Sequence, residues 1–135
     1  MNLSDFGPRI EIPPAVFQVA AGIYTPVAVN VANLDATPSL SKCQYMRVGN
    51  VVTVSGVATV NPTLVATVTQ LGIPLPIASN FAAVEDCAGA AFASGIAGQG
   101  AAIIADASNN RAEMQWISGD VTNQTMQFIF TYQVI

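Results

Sequence analysis

From Tyr24 onward, apolar and polar residues alternate with a period of two, which is typical of β-strands with one buried face. The clearest local signal is Gly49-Asn50, a two-residue turn of the type II′ class, flanked by alternating segments at Lys42–Val48 and Val51–Val60. The alternation predicts further strands at Tyr24–Asn33, Val65–Leu75, Gly89–Ile96, Ala101–Asp106, Ala112–Ser118 and Thr125–Val134. Short strands separated by turn residues predict an all-β fold, an antiparallel sandwich or barrel, with almost no helix.

The last predicted strand has two very different faces. One face is predicted as core and carries Met126, Phe128, Phe130, Tyr132 and Val134. The other face is uncharged and includes Gln127, Ile129 and Gln133, and Ile117 continues this pattern on the Ala112–Ser118 strand. A strand that faces water usually carries Lys or Glu, partly as protection against edge pairing. These four residues are therefore predicted to form a contact between copies of the chain. The alternative is a Thr- and Gln-rich face in contact with water.

Residues 1–22 differ from the remainder and are predicted to form an extended N-terminal arm ahead of a β-domain at 23–135. Pro8, Pro13 and Pro14 exclude a continuous helix, because proline lacks an amide N–H and restricts the preceding residue. The arm is nevertheless rich in apolar side chains, so it must pack against something. It packs either on its own domain or on a neighbouring subunit or partner. In the second case the predicted contact residues are Phe6, Ile10, Ile12, Val16 and Phe17.

Composition narrows the classes of function. The chain has 135 residues, of which 52% are hydrophobic and only 9% charged, with a net charge of −4. The absence of a basic cluster argues against binding to nucleic acid and to anionic membranes. No run approaches the roughly 20 apolar residues that a spanning helix needs, so no membrane association is predicted. Twelve charged side chains cannot cover the surface of such a domain. Part of that surface is therefore predicted to be buried against other chains.

The sequence contains few residues in patterns typical of an active site. The chain is therefore predicted not to be an enzyme and to bind no metal or cofactor. Histidine is absent, which removes the commonest general base. Cys43 and Cys87 are predicted to be two buried free thiols, although one disulfide is also compatible with the sequence. Asp106 and Asp120 could form a glycosidase-type carboxylate pair. A calcium site at Asp106, Asn109 and Asn110 is a second option, which an Asx-rich turn explains more simply.

Several segments resemble a β-structured domain of tailed-bacteriophage structural proteins, often found at the C-terminal end of tail-fibre-like chains. The resemblance is carried by Cys43-Gln-Tyr-Met-Arg-Val-Gly-Asn-Val-Val-Thr-Val-Ser-Gly56, Leu71-Gly-Ile-Pro-Leu-Pro-Ile-Ala-Ser-Asn-Phe81, Gln99-Gly-Ala-Ala-Ile-Ile-Ala-Asp-Ala-Ser-Asn-Asn-Arg-Ala112 and Phe128-Ile-Phe-Thr-Tyr-Gln-Val-Ile135. These segments span about 24–135. The resemblance implies an antiparallel β-sandwich that forms trimers, and it implies no enzymatic activity.

A free-standing β-domain behind an apolar arm is similar in plan to the capsid cement, or decoration, proteins of tailed phages. The resemblance therefore implies a jelly-roll-like sandwich of about eight strands. It would bind the capsid exterior non-covalently as a homotrimer and bridge neighbouring copies of the major capsid protein. The N-terminus lacks a cationic segment and is not a secretory signal. The expected location is thus the virion, after synthesis in the host cytoplasm. The alternative function is a tail-fibre or head-fibre tip that adheres to the host surface.

Overall fold

The computed structural model describes residues 18–35 and 38–135, which form ten β-strands and one 3-10 turn. In chain order the strands are β1 Val19–Tyr24, β2 Val29–Ala32, β3 Ser39–Leu40, β4 Cys43–Val48, β5 Val51–Val60, β6 Val68–Ile73, β7 Cys87–Ala93, β8 Gly100–Asp106, β9 Arg111–Ile117 and β10 Gln124–Gln133. The 3-10 turn covers Val84–Asp86 and directly precedes β7. The predicted all-β class is confirmed. The count exceeds the expected eight because the predicted Tyr24–Asn33 strand falls in two strands, β1 and β2, and because β3, with two residues, is too short to give an alternation signal.

All ten strands hydrogen-bond within one antiparallel sheet. The order is β1-β4-β5-β10-β7-β8-β9-β6-β2, and β3 pairs with β5 off this path. The sheet curls into a half-barrel. Its outermost strands, β1 and β2, are consecutive in the chain and are joined by residues 25–28, which keeps the two edges within about 18 Å of each other. The Tyr24 hydroxyl donates a hydrogen bond of 3.0 Å to the carbonyl of Pro74, just past β6, and this bond ties the edges together.

The pairing of β5 with β10 forms the centre of the sheet and runs over the full length of both strands. On β10 the predicted core positions Met126, Phe128, Phe130 and Tyr132 are at most 4% exposed. On β5 the alternate residues from Val52 to Val60 face the same interior. Strict alternation on these two strands therefore places the hydrophobic core inside the curl, as the sequence predicts.

The predicted β4–β5 hairpin is confirmed at residue level. β4 ends at Val48 and β5 begins at Val51, so Gly49 and Asn50 form the two-residue turn. Gly49 takes a φ of 61°, the positive value that the first position of a type II′ turn requires. The Arg47 side chain donates a hydrogen bond of 2.7 Å to the Gly49 carbonyl and closes the turn.

The start of the sheet differs from the sequence prediction. Tyr24–Asn33 is divided into the end of β1 and the whole of β2, because Pro26 between them has no amide N–H to donate. β1 begins at Val19, so residues 19–22 of the predicted arm pair with β4. The predicted contact residues of the arm lie outside the described residues. They are Phe6, Ile10, Ile12, Val16 and Phe17.

One asparagine side chain holds the β5–β6 connection against the end of β2. Asn33 Nδ2 donates to the Leu64 carbonyl at 2.9 Å and to Thr69 Oγ1 at 2.8 Å. Its Oδ1 accepts from the Leu64 amide at 2.9 Å and from the Thr63 hydroxyl at 2.7 Å. Asn33 also has a φ of 56°, a left-handed conformation that asparagine tolerates better than most residues.

Replacing Asn33 by alanine is expected to lower the free energy of unfolding by about 2–3 kcal/mol, because the side-chain hydrogen bonds of Asn33 are lost and alanine tolerates the left-handed backbone poorly. Asn33→Gly removes the same hydrogen bonds but relieves the backbone cost, so its loss should be about 1 kcal/mol smaller. Urea unfolding of the three proteins measures both contributions. An Asn33→Ala midpoint equal to that of the unmodified chain would show that this network does not stabilise the fold.

Candidate interaction surface

The outer face of the half-barrel is the candidate functional surface. The strand registers place outward side chains of adjacent strands in rows, such as Ile23, Gln44, Ser55, Ile129 and Ala90 across β1, β4, β5, β10 and β7. The outward positions of these five strands hold no Asp, Glu, Lys or Arg. This face is therefore broad, uncharged and made of aliphatic, Thr, Ser and Gln side chains.

The structure brings three of the four predicted copy-contact residues together. Gln127, Ile129 and Gln133 share the outer face of β10 and are all exposed, with Gln133 at the end of the strand, about 14 Å from Ile129. A shallow depression of about 330 Å³ lies beside Gln127 and Ile129, where Phe92 of β7 is also exposed. Ile117 is exposed as well, but it lies at the end of β9, opposite Val68 of β6 and three strands away from β10. The predicted set is thus divided between two parts of the sheet.

A second apolar surface was missed by the sequence analysis. Five exposed side chains on β1, β4 and β5 lie on the outer face: Val19, Ile23, Met46, Val48 and Val51. Ile23 and Met46 also line a groove of about 610 Å³, together with Ala21 and Thr53. We call this surface the β1–β4 groove. Val19, Ala21 and Ile23 do alternate along the chain, but the intervening Ala20 and Gly22 are too small to give the two faces different polarity. Because the two faces are similar in polarity, the alternation pattern did not predict β1.

Within the described residues, the Trp and Tyr side chains that could stack on a sugar are buried or half-buried. Trp116 and Tyr132 are buried, and Tyr24 and Tyr45 are half-buried and meet edge to face with ring centres 6.0 Å apart. The Tyr132 hydroxyl donates to the Ile77 carbonyl at 2.7 Å and accepts from the Ile77 amide. Burial raises the pKa of Tyr132 to about 12. These rings stabilise the core and do not form a platform at the loop tips.

The two cysteines are buried and unbonded. Cys43 lies on β4 against Gly56 of β5, where the missing side chain of glycine leaves room for the Cys43 sulfur and the Phe128 ring. Cys87 pairs with Tyr132 across the β7–β10 ladder. Burial raises the pKa of Cys43 to about 11 and that of Cys87 to about 12. Both groups therefore remain protonated thiols at neutral pH and are poor nucleophiles.

The raised pKa values predict that the folded protein loses stability at alkaline pH. In the unfolded chain the thiols ionise near their usual pKa of about 8.5. The folded thiols ionise only near 11 and 12, so between these values the unfolded state gives up protons first and the free energy of unfolding falls. The urea midpoint should therefore fall from pH 8.5 upward. The chain has no histidine, and a flat midpoint between pH 6 and pH 8 is expected.

A Cys43→Ala/Cys87→Ala variant is the matched control for this pH dependence. The stability of this variant should fall less at alkaline pH. The decrease that remains should come from tyrosines such as Tyr132, whose pKa is also raised. An unchanged alkaline slope in the variant would contradict the assignment to the thiols.

The aspartates considered as candidate catalytic or metal-binding residues form hydrogen bonds within turns. Asp106 ends β8 and forms an ion pair of 2.9 Å with Arg111 at the start of β9, and the Asn109 side chain donates to the same carboxylate at 2.8 Å. Asp120 is exposed and accepts a hydrogen bond of 2.7 Å from the Thr122 amide, which lowers the pKa of its carboxyl. The seven residues of β9 separate the two aspartates by roughly 20 Å or more along the strand, well beyond glycosidase spacing. The carboxylate-pair alternative is therefore wrong.

The described residues, 18–35 and 38–135, were also considered for a metal site and for a membrane-spanning helix. No group of three or more His, Cys, Asp or Glu side chains there is placed to hold a metal ion. The same part of the chain contains no helix with the length and hydropathy needed to cross a bilayer. The glycine-rich segment 95–99 connects β7 to β8. The Gln99 side chain donates to the carbonyl of Ile117, the last residue of β9, and accepts from the amide of Gly119 just beyond it.

Comparison with known proteins does not identify a family or a function. The chain matches no family model, no curated protein and no solved structure.

Proposed function

We propose that this chain is a structural protein that works as part of an assembly, with the outer face of its sheet covered by other chains. The observation that carries the proposal is the absence of charge across the outward positions of β1, β4, β5, β10 and β7. Ile23, Met46 and Ile129 on this face are each more than half exposed. A sheet face or edge that stays in water is normally protected by Lys or Glu, and none stands at these positions.

The specific form of the proposal comes from the sequence resemblance to tailed-phage structural proteins. In this form the chain is a capsid decoration protein with a jelly-roll-like architecture. It sits as a trimer on the outside of the virion capsid and bridges neighbouring copies of the major capsid protein. The β10 residues Gln127, Ile129 and Gln133 supply contacts between copies, with Ile117 at the periphery. The N-terminal arm reaches a partner chain through apolar residues, Phe6 among them.

The mechanism in this proposal is interfacial. Each bound copy opposes separation of the chains it bridges through buried apolar area. A contact of about 1,000 Å² offers on the order of 25 kcal/mol at 25 cal/mol per Å², before the costs of association are subtracted. Repetition over a shell multiplies the effect, because each copy that binds raises the effective concentration of the next contact.

The alternative, a fibre tip that adheres to the host surface, draws less support. Sugar recognition commonly uses exposed aromatic rings with polar side chains beside them. Within the described residues, Trp116 and Tyr132 are buried and Tyr24 and Tyr45 are half-buried. Phe92 is exposed, but it lies on the uncharged outer face and not at a loop tip.

A binding comparison tests the proposed function. The purified chain is incubated in parallel with capsids assembled without it and with host cells, and bound protein is measured after sedimentation. Saturable binding to capsids and none to cells is expected. Saturable binding to cells without binding to capsids would overturn the capsid role in favour of the fibre tip. An Asp120→Asn variant, altered at an exposed turn, is the control that should bind as the unmodified chain does.

A further inference from the structure

Strand β1 presents a bare sheet edge. On the side away from β4 it has no partner strand among the described residues. The Gln18 carbonyl accepts a hydrogen bond of 2.8 Å from the Gly49 amide, so the backbone groups of Gln18 point toward β4. Because hydrogen-bonded pairs alternate along an antiparallel ladder, Val19, Ala21 and Ile23 direct their amide and carbonyl groups toward the bare edge. β1 contains neither a charged residue nor a proline, the usual protection against strand addition.

Ala21 and Ile23 also line the β1–β4 groove, and Val19 lies two residues further along the same face of β1. Val19 and Ile23 are 73% and 68% exposed, and Met46 continues the apolar surface on β4 at 55%. Unpaired backbone groups and exposed apolar side chains thus lie together. A single extended segment laid along β1 would satisfy both, since its backbone would pair with the edge while alternate side chains enter the groove.

The chain itself holds a segment with the chemistry to do this. Residues 1–17 lie outside the described residues and join the sheet at Gln18, at the end of β1 beside the Gly49 turn. Ile10 and Ile12 are spaced to share one face of an extended segment. Pro13 and Pro14 follow and would end the pairing, since proline cannot donate to a ladder. Seventeen extended residues reach about 56 Å, more than the roughly 35 Å diameter of a domain of this size.

We propose that residues 10–17 of one copy lie in the β1–β4 groove of a second copy, with Ile10 and Ile12 added to the bare edge of β1. The direction of β1 favours a second copy over the same chain. Extended backward from Gln18, the line of β1 runs past the Gly49 turn and away from the groove of the same copy. An arm that continued along this line could enter a neighbour's groove directly, whereas entering its own groove would require a reversal of direction. This exchange rests on the proposed function for the existence of an oligomer. It leaves the more N-terminal part of the arm, including Phe6, for the capsid.

Disulfide trapping in the full-length chain tests the exchange. Val16→Cys and Met46→Cys variants carrying different affinity tags are co-expressed, oxidised and separated without reductant. The native thiols do not compete, because Cys43 and Cys87 are buried. Val84→Cys replaces Met46→Cys in the control pair. Val84 is 58% exposed, close to the 55% of Met46, but it lies in the 3-10 turn, away from the groove and from the outer face of β10. A covalent dimer with both tags is expected, roughly tenfold more abundant than in the control, because docking raises the effective concentration of the two thiols.

A second full-length protein separates exchange from folding back. The doubly substituted Val16→Cys/Met46→Cys chain should form covalent dimers and larger species. An internal disulfide in a monomer, or equal dimer yields from the Met46 and Val84 pairs, would overturn the exchange. The capsid assay reports on the other claim. If the disulfide forms but the protein does not bind capsids, the capsid role is wrong and the arm exchange stands. If the protein binds capsids but the disulfide does not form, only the arm exchange is wrong.

Discussion

Replacing Gly89 by alanine is expected to separate β7 from β10 and to lower the free energy of unfolding by roughly 3 kcal/mol or more. Gly89 pairs with Phe130 near the middle of the β7–β10 ladder. A Cβ atom at residue 89 would meet the Ile129 carbonyl oxygen and would lie 2.6 Å from Phe130 Cα. These are backbone atoms of a central strand and cannot rotate aside, so the strands must move apart. Urea unfolding followed by circular dichroism measures the loss.

Gly95→Ala is the matched control for this substitution. Gly95 lies in the β7–β8 connection, where an added Cβ would have no atom within 4 Å. Its stability should stay within about 0.5 kcal/mol of the unmodified chain. Equal stability of the Gly89 and Gly95 variants would show that β7 and β10 do not approach as closely as described.

Replacing Ile129 by lysine is expected to dissociate the assembly while leaving the fold intact. Ile129 lies at the centre of the uncharged outer face and is 54% exposed, so a lysine there can reach water in an isolated chain. In a contact between copies the same ammonium group would be buried without a partner, at a cost of several kcal/mol. A cost of about 3 kcal/mol per contact weakens association more than 100-fold. Sedimentation velocity at a fixed protein concentration measures the change.

Val84→Lys controls for the added charge. Val84 is 58% exposed, close to Ile129, but it lies in the 3-10 turn and not on the outer face. It should leave the assembly unchanged. Dissociation by both variants would indicate that general charge, and not the outer face, governs association. Assembly that survives Ile129→Lys would show that β10 does not form the contact.

The sequence predicted those strands whose two faces differ strongly. β10 alternates large apolar residues with Thr and Gln, so its position and its buried face were both predicted. β6 contains Gly72 and is followed by Pro74 and Pro76, a pattern typical of an edge or bulged strand. It instead lies between β9 and β2, since it ends at Ile73 before either proline. The bulge occurs on its partner β2, between Asn30 and Ala32.

Features that depend on distant pairing were not predictable from local pattern. The inner face of β1 carries the small residues Ala20 and Gly22, so its two faces differ little in polarity, and only its pairing with β4, about 20 residues later, makes it a strand. The β1–β4 groove follows from that pairing and was missed with it. The single curled sheet likewise rests on the β5–β10 ladder, which joins Val51 to Gln133. Alternation predicts which residues face inward on each strand, but it carries no information on which strands are neighbours.

The native mass of the unmodified full-length chain tests the central claim most directly, because an outer face made to be covered must be covered in solution by copies of the chain. Sedimentation equilibrium at concentrations around 10 μM is expected to give a single species of about 42 kDa, three times the 14.0 kDa chain mass. A species of 14.0 kDa that persists across the concentration range would contradict the claim. The uncharged face would then be a surface in contact with water.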